Sequence, residues 1–362
     1  MEGEEGLRVA LLLMHPSPYR DAVAKRLLAD TRFSLDVLYL FGEDFGHVGM
    51  GLGETAEPLA GKTATLHPRG FAALRLVCRL CWRFAVSRRY DFVVWTAYAP
   101  WWMTVGVLLR AMMGREYGLA LDTTRESCGW LARAIKGYAF SKAKFLWVPG
   151  EASGKFLSKG YGIDEKRIVQ GLYSCEFAPG PRAAHDGVVY LMVANDTGFR
   201  RMDVVAEGFR RFKANGGVGK LILCGRGVGR YQCEGVECMD GGTAWKELPR
   251  LYAQSDVYVH NGTEQFSVAA LMGAMAGLPL LCGSEVGVAA DLFGAGEVGV
   301  LVEKWDSAEA WEEAFGRMSA RRDDWSVMGA EARGRTGKFD PDVVARRVGD
   351  VMVGVGERDL AV

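Results

Sequence analysis

The sequence predicts an α/β protein built from two doubly wound, parallel sheets. At 362 residues the chain is longer than a single hydrophobic core usually becomes, so two domains are expected. Short apolar runs alternate with longer helical patterns in both halves, which is typical of parallel sheets covered by helices. Residues 175–186 are rich in proline, glycine and small side chains without periodicity, as expected of a linker. The predicted domains are residues 1–174 and 187–340.

The composition describes a globular chain without a strong charge bias. Apolar residues make up 49% of the chain, and 44 basic residues balance 44 acidic ones. This balance argues against nucleic acid as the main partner and favours a small molecule or a glycan. The eight cysteines are expected to be buried reduced thiols, because only Cys78 and Cys81 have CxxC spacing and no histidine accompanies them. An acidic start without a basic signal region, and no membrane-length apolar stretch, lead us to expect a cytoplasmic protein.

Two loops of the first half are expected on the ligand side of its sheet. Residues 15–20, HPSPYR, follow the apolar strand RVALLLM, and residues 122–126 follow the run YGLAL. Ligands of such sheets bind at the carboxyl ends of the strands, where both loops lie. The alternative for the first loop is that its prolines only end the strand and start a helix. The alternative for Asp122 is a helix N-cap before CGWLARAIKGYAF.

A basic stripe is predicted on the first half. Arg75, Arg79 and Arg83 repeat every four residues within residues 69–89, so they share one face of a helix whose other residues are mostly apolar or aromatic. Such a helix can lie on an anionic membrane with its arginines reaching the head groups. The alternative is an ordinary sheet-packing helix with arginines on its solvent face.

The second half carries two loops with anion-binding character. The strand VVYLMVA runs into NDTGFRR, which contains Arg200 and Arg201, and these could equally form a solvated basic turn. Residues 256–302 have the pattern strand, loop, helix, strand, helix, strand. The unpaired N–H groups of a helix start favour an anion, so residues 263–267 are a candidate phosphate site. The segment KLILCGRGVGR is neither a Walker A loop nor a dinucleotide fingerprint.

These residues resemble the family 4 retaining glycosyltransferases. Laid without a gap on the family pattern EGFGxxxxEAMAxGxPVV, the sequence places Glu264 at the first Glu and Phe266 at the aromatic position, with Gly277 and Pro279 at the G-x-P. The following VGVAADLFGAGEVGVLV is similar to the family's GGxxEvvxdGxxGllv, with Asp291 near the acidic position. The chain departs from the pattern at the second Glu, which holds the nucleotide ribose in the family and is Met272 here.

The resemblance implies a GT-B fold and a set of donor contacts. Glu264 would accept hydrogen bonds from the donor sugar. Gln265 and Ser267 replace glycines beside the backbone amides that meet phosphate, at the helix start formed by Phe266, Ser267 and Val268. In the family pattern VGRxxxxKG an Arg and a Lys bind the donor diphosphate, and these positions hold Asn195 and Arg200. Arg201 offers itself as a substitute for the missing cation.

The resemblance also assigns the first half to the acceptor. HPSPYR is similar to a loop found in a subset of bacterial polysaccharide glycosyltransferases, so Tyr19 or Arg20 could face an acceptor or a phosphate. Asp122 could orient an acceptor hydroxyl and Arg125 could meet a phosphate. The last helix, in residues 341–362, resembles the terminal helix that returns toward the first domain in the family.

The expected function is transfer of a sugar from a UDP- or GDP-type nucleotide sugar to a glycan or lipid-linked acceptor. By analogy with the family, the anomeric configuration is retained without a metal, and the donor is a substrate rather than a cofactor. A nucleotide-sugar epimerase is one alternative. The other is a degenerate GT-B subunit that binds glycan or a partner without turnover, since Asn195 and Met272 depart from the family pattern.

Overall fold

Two parallel β-sheets form the framework of the protein. The computed structural model describes residues 7–13, 17–39, 63–65, 78–79, 81–96, 101–125, 128–182, 185–241, 245–294 and 297–354. One sheet has seven strands and the other has six, and every strand pair in both is parallel. The predicted α/β fold with two doubly wound halves is therefore confirmed.

The first sheet has the strand order β3-β2-β1-β4-β5-β6-β7. Its strands are β1 Leu7–Leu13, β2 Phe33–Tyr39, β3 Thr63–Thr65, β4 Phe92–Thr96, β5 Tyr117–Ala120, β6 Phe145–Val148 and β7 Ile168–Gln170. Val9 and Leu11 of β1 pack into one core cluster, while Ala10 and Leu12 pack into another. Both faces of the sheet are thus covered, which explains why its strands are continuous apolar runs.

The helices of the first half correct one prediction and exclude one alternative. They are α1 Pro18–Ala29, a π-helical turn at Trp82–Val86, α2 Trp101–Met112, α3 Trp130–Lys142 and α4 Glu151–Tyr161, with a 3₁₀ turn at Glu165–Arg167. Tyr19 and Arg20 lie in the first turn of α1 and not in a loop, because Pro18 occupies the first helical position, where its fixed φ and missing N–H are tolerated. The alternative considered for Asp122, a helix N-cap, is excluded, since Gly129 is the N-cap of α3.

The second sheet has the strand order β10-β9-β8-β11-β12-β13. Its strands are β8 Val189–Val193, β9 Lys220–Gly225, β10 Val236–Asp240, β11 Val257–His260, β12 Leu280–Gly283 and β13 Gly299–Val302. The helices are α5 Met202–Ala214, α6 Leu248–Ala253, α7 Val268–Met275, α8 Ala289–Leu292, α9 Ala308–Ala320 and α10 Trp325–Gly334. Short 3₁₀ turns occur at Gly198–Arg200, Val228–Tyr231, Trp245–Glu247, Arg322–Asp324 and Gly337–Phe339.

The strand orders locate the ligand side of each half. In both sheets successive strands are first added on one side of the first strand and then on its other side. The strand order therefore reverses between β1 and β4 and between β8 and β11. Ligands of doubly wound sheets bind at this switch point, beyond the carboxyl ends of the strands. The pattern expected for residues 256–302 is confirmed, because β11, α7, β12, α8 and β13 follow one another there.

The last helix, α11 Pro341–Val353, packs on the first half. Val344, Val348 and Met352 belong to the same core cluster as Val9 and Leu11 of β1. Two ion pairs fasten this contact, Arg32 Nη1 to Asp350 Oδ1 at 2.5 Å and Arg26 Nε to Asp342 Oδ1 at 3.1 Å. The last strand of the first sheet ends at Gln170 and the first strand of the second begins at Val189, and the domain limits between them stay a prediction.

Candidate active site

The loops that follow β8 and β11 meet at the switch point of the second sheet. The loop after β8 carries Asn195 and ends in the 3₁₀ turn Gly198–Arg200. The loop after β11 carries Glu264 and leads to Ser267, the N-cap of α7, whose Oγ accepts a hydrogen bond from Ala270 N at 3.2 Å. The structure therefore brings together the residues that the sequence analysis assigned to donor binding from two distant segments.

Glu264 is the centre of this site. Its side chain is only 9% exposed, and its Oε1 accepts from Arg200 Nε and lies 3.4 Å from His260 Nε2. Burial alone would raise the pKa of this carboxyl, but His260 and Arg200 outweigh burial, and the net pKa lies below its usual value. Glu264 is thus held as a carboxylate. It is not a helix-capping acid, because Ser267 caps α7.

Arg200 holds Glu264 with only part of its hydrogen-bonding capacity. Its Nη1 donates to the carbonyl oxygen of Asn195 at 3.1 Å, and its guanidinium lies 5.2 Å from the ring centroid of Phe199. Gly262, at φ +133°, makes this arrangement possible, because a Cβ there would lie only 3.0 Å from the Cα of Arg200. Since a guanidinium has five N–H donors, the same side chain can bind Glu264 and an anion together.

Asn195 and Arg201 lie on either side of this pair, and both side chains are hydrogen-bonded to nearby residues. The Oδ1 of Asn195 accepts from the backbone N–H of Arg226 at 3.0 Å, which ties the loop after β8 to the loop after β9. Arg201 makes a two-point contact with the carboxylate of Asp203, with Nε–Oδ1 and Nη2–Oδ2 distances of 3.0 Å. Its φ of +42° is the only positive value of a non-glycine residue in the described ranges. Such backbone strain often accompanies functional loops.

Two buried polar atoms at the same edge point to a ligand. Thr197 Oγ1 and Asn261 Oδ1 have no hydrogen-bond partner within the described residues. The amide nitrogen of Asn261 donates to the carbonyl oxygen of Trp305 at 3.0 Å, so this side chain is fixed in place. Buried polar atoms without a partner are uncommon, and a bound polar molecule would satisfy them.

The residues around the start of α7 differ in what they can offer a donor. Gln265 is exposed, whereas Phe266 is buried between the rings of Tyr173 and Phe339, with centroid distances of 6.0 Å and 5.4 Å. Val268 begins α7, and Met272 lies one turn further on, 1% exposed in the core. Met272 therefore supplies no polar atom at the position where the family has its second Glu.

Tyr173 organises the first half's side of the cleft. Its hydroxyl donates to Asp122 Oδ2 at 2.7 Å, and its ring contacts Tyr19 edge-on at 5.5 Å between centroids. The guanidinium of Arg20 lies 5.8 Å from the centroid of the same ring. Asp122, Tyr19 and Arg20 thus share one partner, and that partner also touches Phe266 in the second half.

Two polar contacts join the halves beside this cluster. Arg125 pairs with Glu285, which follows β12, and both side chains are largely exposed. Asp291 of α8 is fully buried and accepts from the N–H of Glu151, the first residue of α4, at 3.1 Å to both carboxylate oxygens. Its Oδ1 also lies 2.5 Å from Lys338 Nζ. A Cβ at Gly150 would lie 2.3 Å from Oδ2 of this carboxylate, so a larger residue there would displace the Asp291 side chain.

Sequence reasoning missed His260, Tyr173 and Glu285. His260 is buried, and its Nδ1 lies 3.2 Å from the hydroxyl of Tyr258. A histidine at the end of an apolar strand gives no signal of its own, and its four-residue spacing from Glu264 has no meaning outside a helix. Tyr173 and Glu285 matter through contacts between the two halves, which local patterns cannot show.

The predicted basic stripe is only partly described. Arg75 lies outside the described residues, Arg79 is exposed, and Arg83 donates to the hydroxyl of Tyr90 at 3.0 Å. The cysteine prediction needs a correction: none is in a disulfide, but only Cys175, Cys224 and Cys282 are buried. Over the described ranges, no three His, Cys, Asp or Glu side chains are grouped so that they could hold a metal.

A family match decides the identity of the second half. Residues 180–335 match the family described as Glycosyl transferases group 1. Residues 180–335 are therefore similar to a group 1 glycosyl transferase domain. This domain contains the whole candidate donor site, from Asn195 to Met272, and the resemblance drawn from residues 256–302 is confirmed. Curated protein sequences gave no match.

Solved structures extend the likeness to nearly the whole chain. A glycosyltransferase from Rickettsia africae ESF-5 has a TM-score of 0.71 at 12% identity, covering 98% of this chain and 100% of that one. Anabaena HepE, solved with UDP and glucose, has a TM-score of 0.68 at 14% identity, with 96% and 99% covered. UDP-GlcNAc 2-epimerase from Methanocaldococcus jannaschii gives 0.60 at 11% identity, with 96% and 99% covered. At these identities the likeness shows a shared fold, and the predicted GT-B fold is confirmed.

Proposed function

We propose that this glycosyltransferase moves a sugar from a UDP- or GDP-type donor to a glycan or lipid-linked acceptor. The observation that carries the proposal is the buried Glu264 carboxylate, held by Arg200 and His260 at the switch point of the group 1 domain. HepE, a structure of the same fold, was solved with UDP and glucose, which favours a nucleotide-sugar donor for this chain. We place the protein in the cytoplasm, at the membrane surface when the acceptor is lipid-linked.

Glu264 would bind the sugar of the donor, and Arg200 would bind its diphosphate. Both contacts of Glu264 fall on Oε1, so we assign Oε2 to accept hydrogen bonds from the hydroxyl groups of the donor sugar. Arg200 would stabilise the charge that develops on the leaving diphosphate, together with the backbone N–H groups at Phe266, Ser267 and Val268. Arg201, Asn195 and Gln265 would line the remainder of the donor site, whereas Met272 lies in the core and would make no direct contact.

The acceptor would enter from the first half. Asp122, oriented by the hydroxyl of Tyr173, would receive an acceptor hydroxyl, with Tyr19 and Arg20 beside it. Arg125 would meet a phosphate of the donor or the acceptor. We further propose that the reaction retains the anomeric configuration and needs no metal, because Arg200 and the helix start can take the place of a cation at the diphosphate.

A ligand panel tests the donor assignment. Nucleosides, nucleoside diphosphates and nucleotide sugars are added to the protein and the shift in thermal unfolding is measured. A ligand at about 100 times its dissociation constant adds roughly 2.7 kcal/mol to the free energy of unfolding. We expect stabilisation by UDP or GDP compounds and little by the nucleosides. Equal stabilisation by nucleoside and nucleoside diphosphate would overturn the diphosphate site.

Product analysis then separates transfer from its two alternatives. A transferase releases nucleoside diphosphate when acceptor is added. An epimerase changes the donor sugar without an acceptor, and this activity occurs on the same fold. A subunit without turnover does neither, which is the outcome that Asn195 and Met272 would explain.

A further inference from the structure

The exposed apolar side chains of this protein are concentrated on one layer of the first half. This layer, which we call the α2–α3 layer, consists of the turn Trp82–Val86, helix α2 with the Met113 that follows it, and helix α3. Of the twelve large apolar residues exposed in the described ranges, eight lie in it: Trp82, Val105, Met112, Met113, Trp130, Leu131, Ile135 and Tyr138. The other four are scattered over the second half, so the concentration is a property of this surface.

Among the described residues, helix α3 is held mainly at its C-terminal end, where Phe140 packs edge-on against Tyr161, although Arg133 also donates to the carbonyl oxygen of Gly160 at 2.9 Å. Only Ala139 and Phe140, near its C-terminal end, are buried, whereas Trp130 is 81% and Leu131 58% exposed. A helix of a globular protein normally buries an apolar stripe along its length. In α3 the apolar side chains of the first turns face solvent. Exposed apolar side chains grouped in this way mark a surface that binds another molecule.

The same layer is strongly basic. Arg83 lies in the turn Trp82–Val86, with Arg79, Arg88 and Arg89 directly beside it in residues 78–89. Helix α3 contains Arg133, Lys136 and Lys142, and neither of these segments nor α2 contains an acidic residue. The whole chain, in contrast, has 44 basic and 44 acidic residues. Basic and exposed apolar side chains therefore coincide on one face of a neutral protein.

We propose that the α2–α3 layer docks on the surface of an anionic lipid bilayer. Trp and Tyr side chains favour the head-group region, Leu and Ile enter the acyl boundary, and Lys and Arg pair with anionic head groups. A nucleic acid would use the cations but would gain nothing from Leu131, Ile135 or Met112. No helix within the described residues is long and apolar enough to cross a membrane.

The docking surface has a defined relation to the cleft. Helix α3 begins shortly after the loop that carries Asp122 and Arg125, at the carboxyl edge of β5. Its exposed Trp130 end therefore lies toward the ligand side of the first sheet. If the proposed transfer is correct, docking brings an acceptor held in the bilayer to the mouth of the cleft, but docking itself does not depend on transfer.

Vesicle sedimentation of the full chain tests this surface. The vesicles contain phosphatidylcholine alone or phosphatidylcholine mixed with phosphatidylglycerol. The wild type should bind the mixed vesicles, bind the neutral ones weakly, and be released as salt is raised. The double variant Trp130→Ser, Leu131→Ser should bind at least about tenfold more weakly, because it loses two large side chains that docking would bury. Lys142→Gln should weaken only the anionic component.

Matched controls lie in the second half. Val327 is 69% exposed on α10, and Lys246 is exposed near α6, so Val327→Ser and Lys246→Gln change the same kinds of side chain outside the layer. Both should bind vesicles like the wild type, and all variants should keep the wild-type unfolding temperature, because the side chains are at the surface. The proposal would be overturned if the wild type did not bind anionic vesicles, or if the serine variant bound them as the wild type does. Salt-sensitive binding to an oligonucleotide without binding to vesicles would overturn it as well. Vesicle binding without nucleotide binding would overturn only the proposed function.

Discussion

Glu264 is a buried carboxylate whose charge the protein stabilises with two neighbours. We expect Glu264→Gln to lower transfer by about ten- to a hundredfold or more, because hydrogen bonds to a charged group contribute about 1.5 to 3 kcal/mol. Glutamine keeps the volume of the side chain, so the far-ultraviolet circular dichroism should not change. Steady-state kinetics on the true donor measure the effect. Glu297→Gln, a change in an acid that is 71% exposed, is the control, and wild-type turnover of Glu264→Gln would reject the assignment.

Arg200 is the residue on which diphosphate binding should depend most. Of the two positions that are cationic in the family pattern, Arg200 keeps the positive charge and Asn195 is neutral. Arg200→Ala should therefore weaken nucleoside diphosphate binding by about ten- to a hundredfold. The uncharged nucleoside should bind the variant and the wild type alike. Titration calorimetry of both ligands measures this.

Arg201 provides the comparison for Arg200. Two of its nitrogen atoms are occupied by Asp203, so Arg201→Ala should have the smaller effect on diphosphate binding. If Arg201→Ala is the more damaging change, Arg201 and not Arg200 carries the phosphate contact.

At the scale of elements, the Asp291 carboxylate holds the start of α4 from across the molecule. Burial raises its pKa above the usual value, and the Lys338 ammonium opposes this only in part. A raised pKa contributes stability that is present below the pKa of an unfolded Asp and is lost as the pH rises through the folded value. Asn at this position keeps an oxygen for the Glu151 N–H but does not titrate. The stability of the wild type relative to Asp291→Asn should therefore fall as the pH rises.

Urea unfolding of both proteins, at a series of pH values from about 3.5 to about 7, measures this difference directly. The opposite result would be a wild type whose free energy of unfolding increases relative to that of the variant as the pH rises. That result would mean that attraction to Lys338 exceeds the cost of burial, so that folding lowers the pKa of Asp291.

Elements differ in how far the sequence could predict them. Residues 256–302 were predictable, because strands buried on both faces are continuous apolar runs and Pro279 ends the helix pattern before β12. The sequence predicts a loop where the first turn of α1 lies, because HPSPYR is compatible with a loop although Pro18 is a favourable first helical residue. The contact of Asp291 with Glu151 could not be predicted from the sequence, since 140 residues separate the two and no local pattern links them.

At the scale of the molecule, Arg125 and Glu285 connect the two sides of the cleft. Both side chains are largely exposed, so the pair should contribute less than about 1 kcal/mol to stability. Its effect should be on activity: Arg125→Glu alone places two like charges at the cleft and should lower transfer. In the exchanged variant, Arg125→Glu with Glu285→Arg, the attraction is restored.

Kinetic assays of Arg125→Glu, Glu285→Arg and the exchanged variant separate two roles of Arg125. Recovery of activity in the exchanged variant indicates that the pair aligns the two halves. Persistent loss there, with normal unfolding temperature, indicates that Arg125 itself contacts a phosphate, which is the role that the sequence suggested.

The contact between Asp291 and the first amide of α4 also has a kinetic consequence. The first amides of a helix usually exchange their hydrogen with solvent quickly, because no carbonyl within the helix accepts them. The Glu151 amide is bonded instead to a buried carboxylate of the other half, so its exchange requires the two halves to separate at this point. The rate of deuterium uptake at this one amide would therefore report how often the interface opens, and slower uptake with a nucleotide sugar bound would measure closure of the cleft without any attached probe.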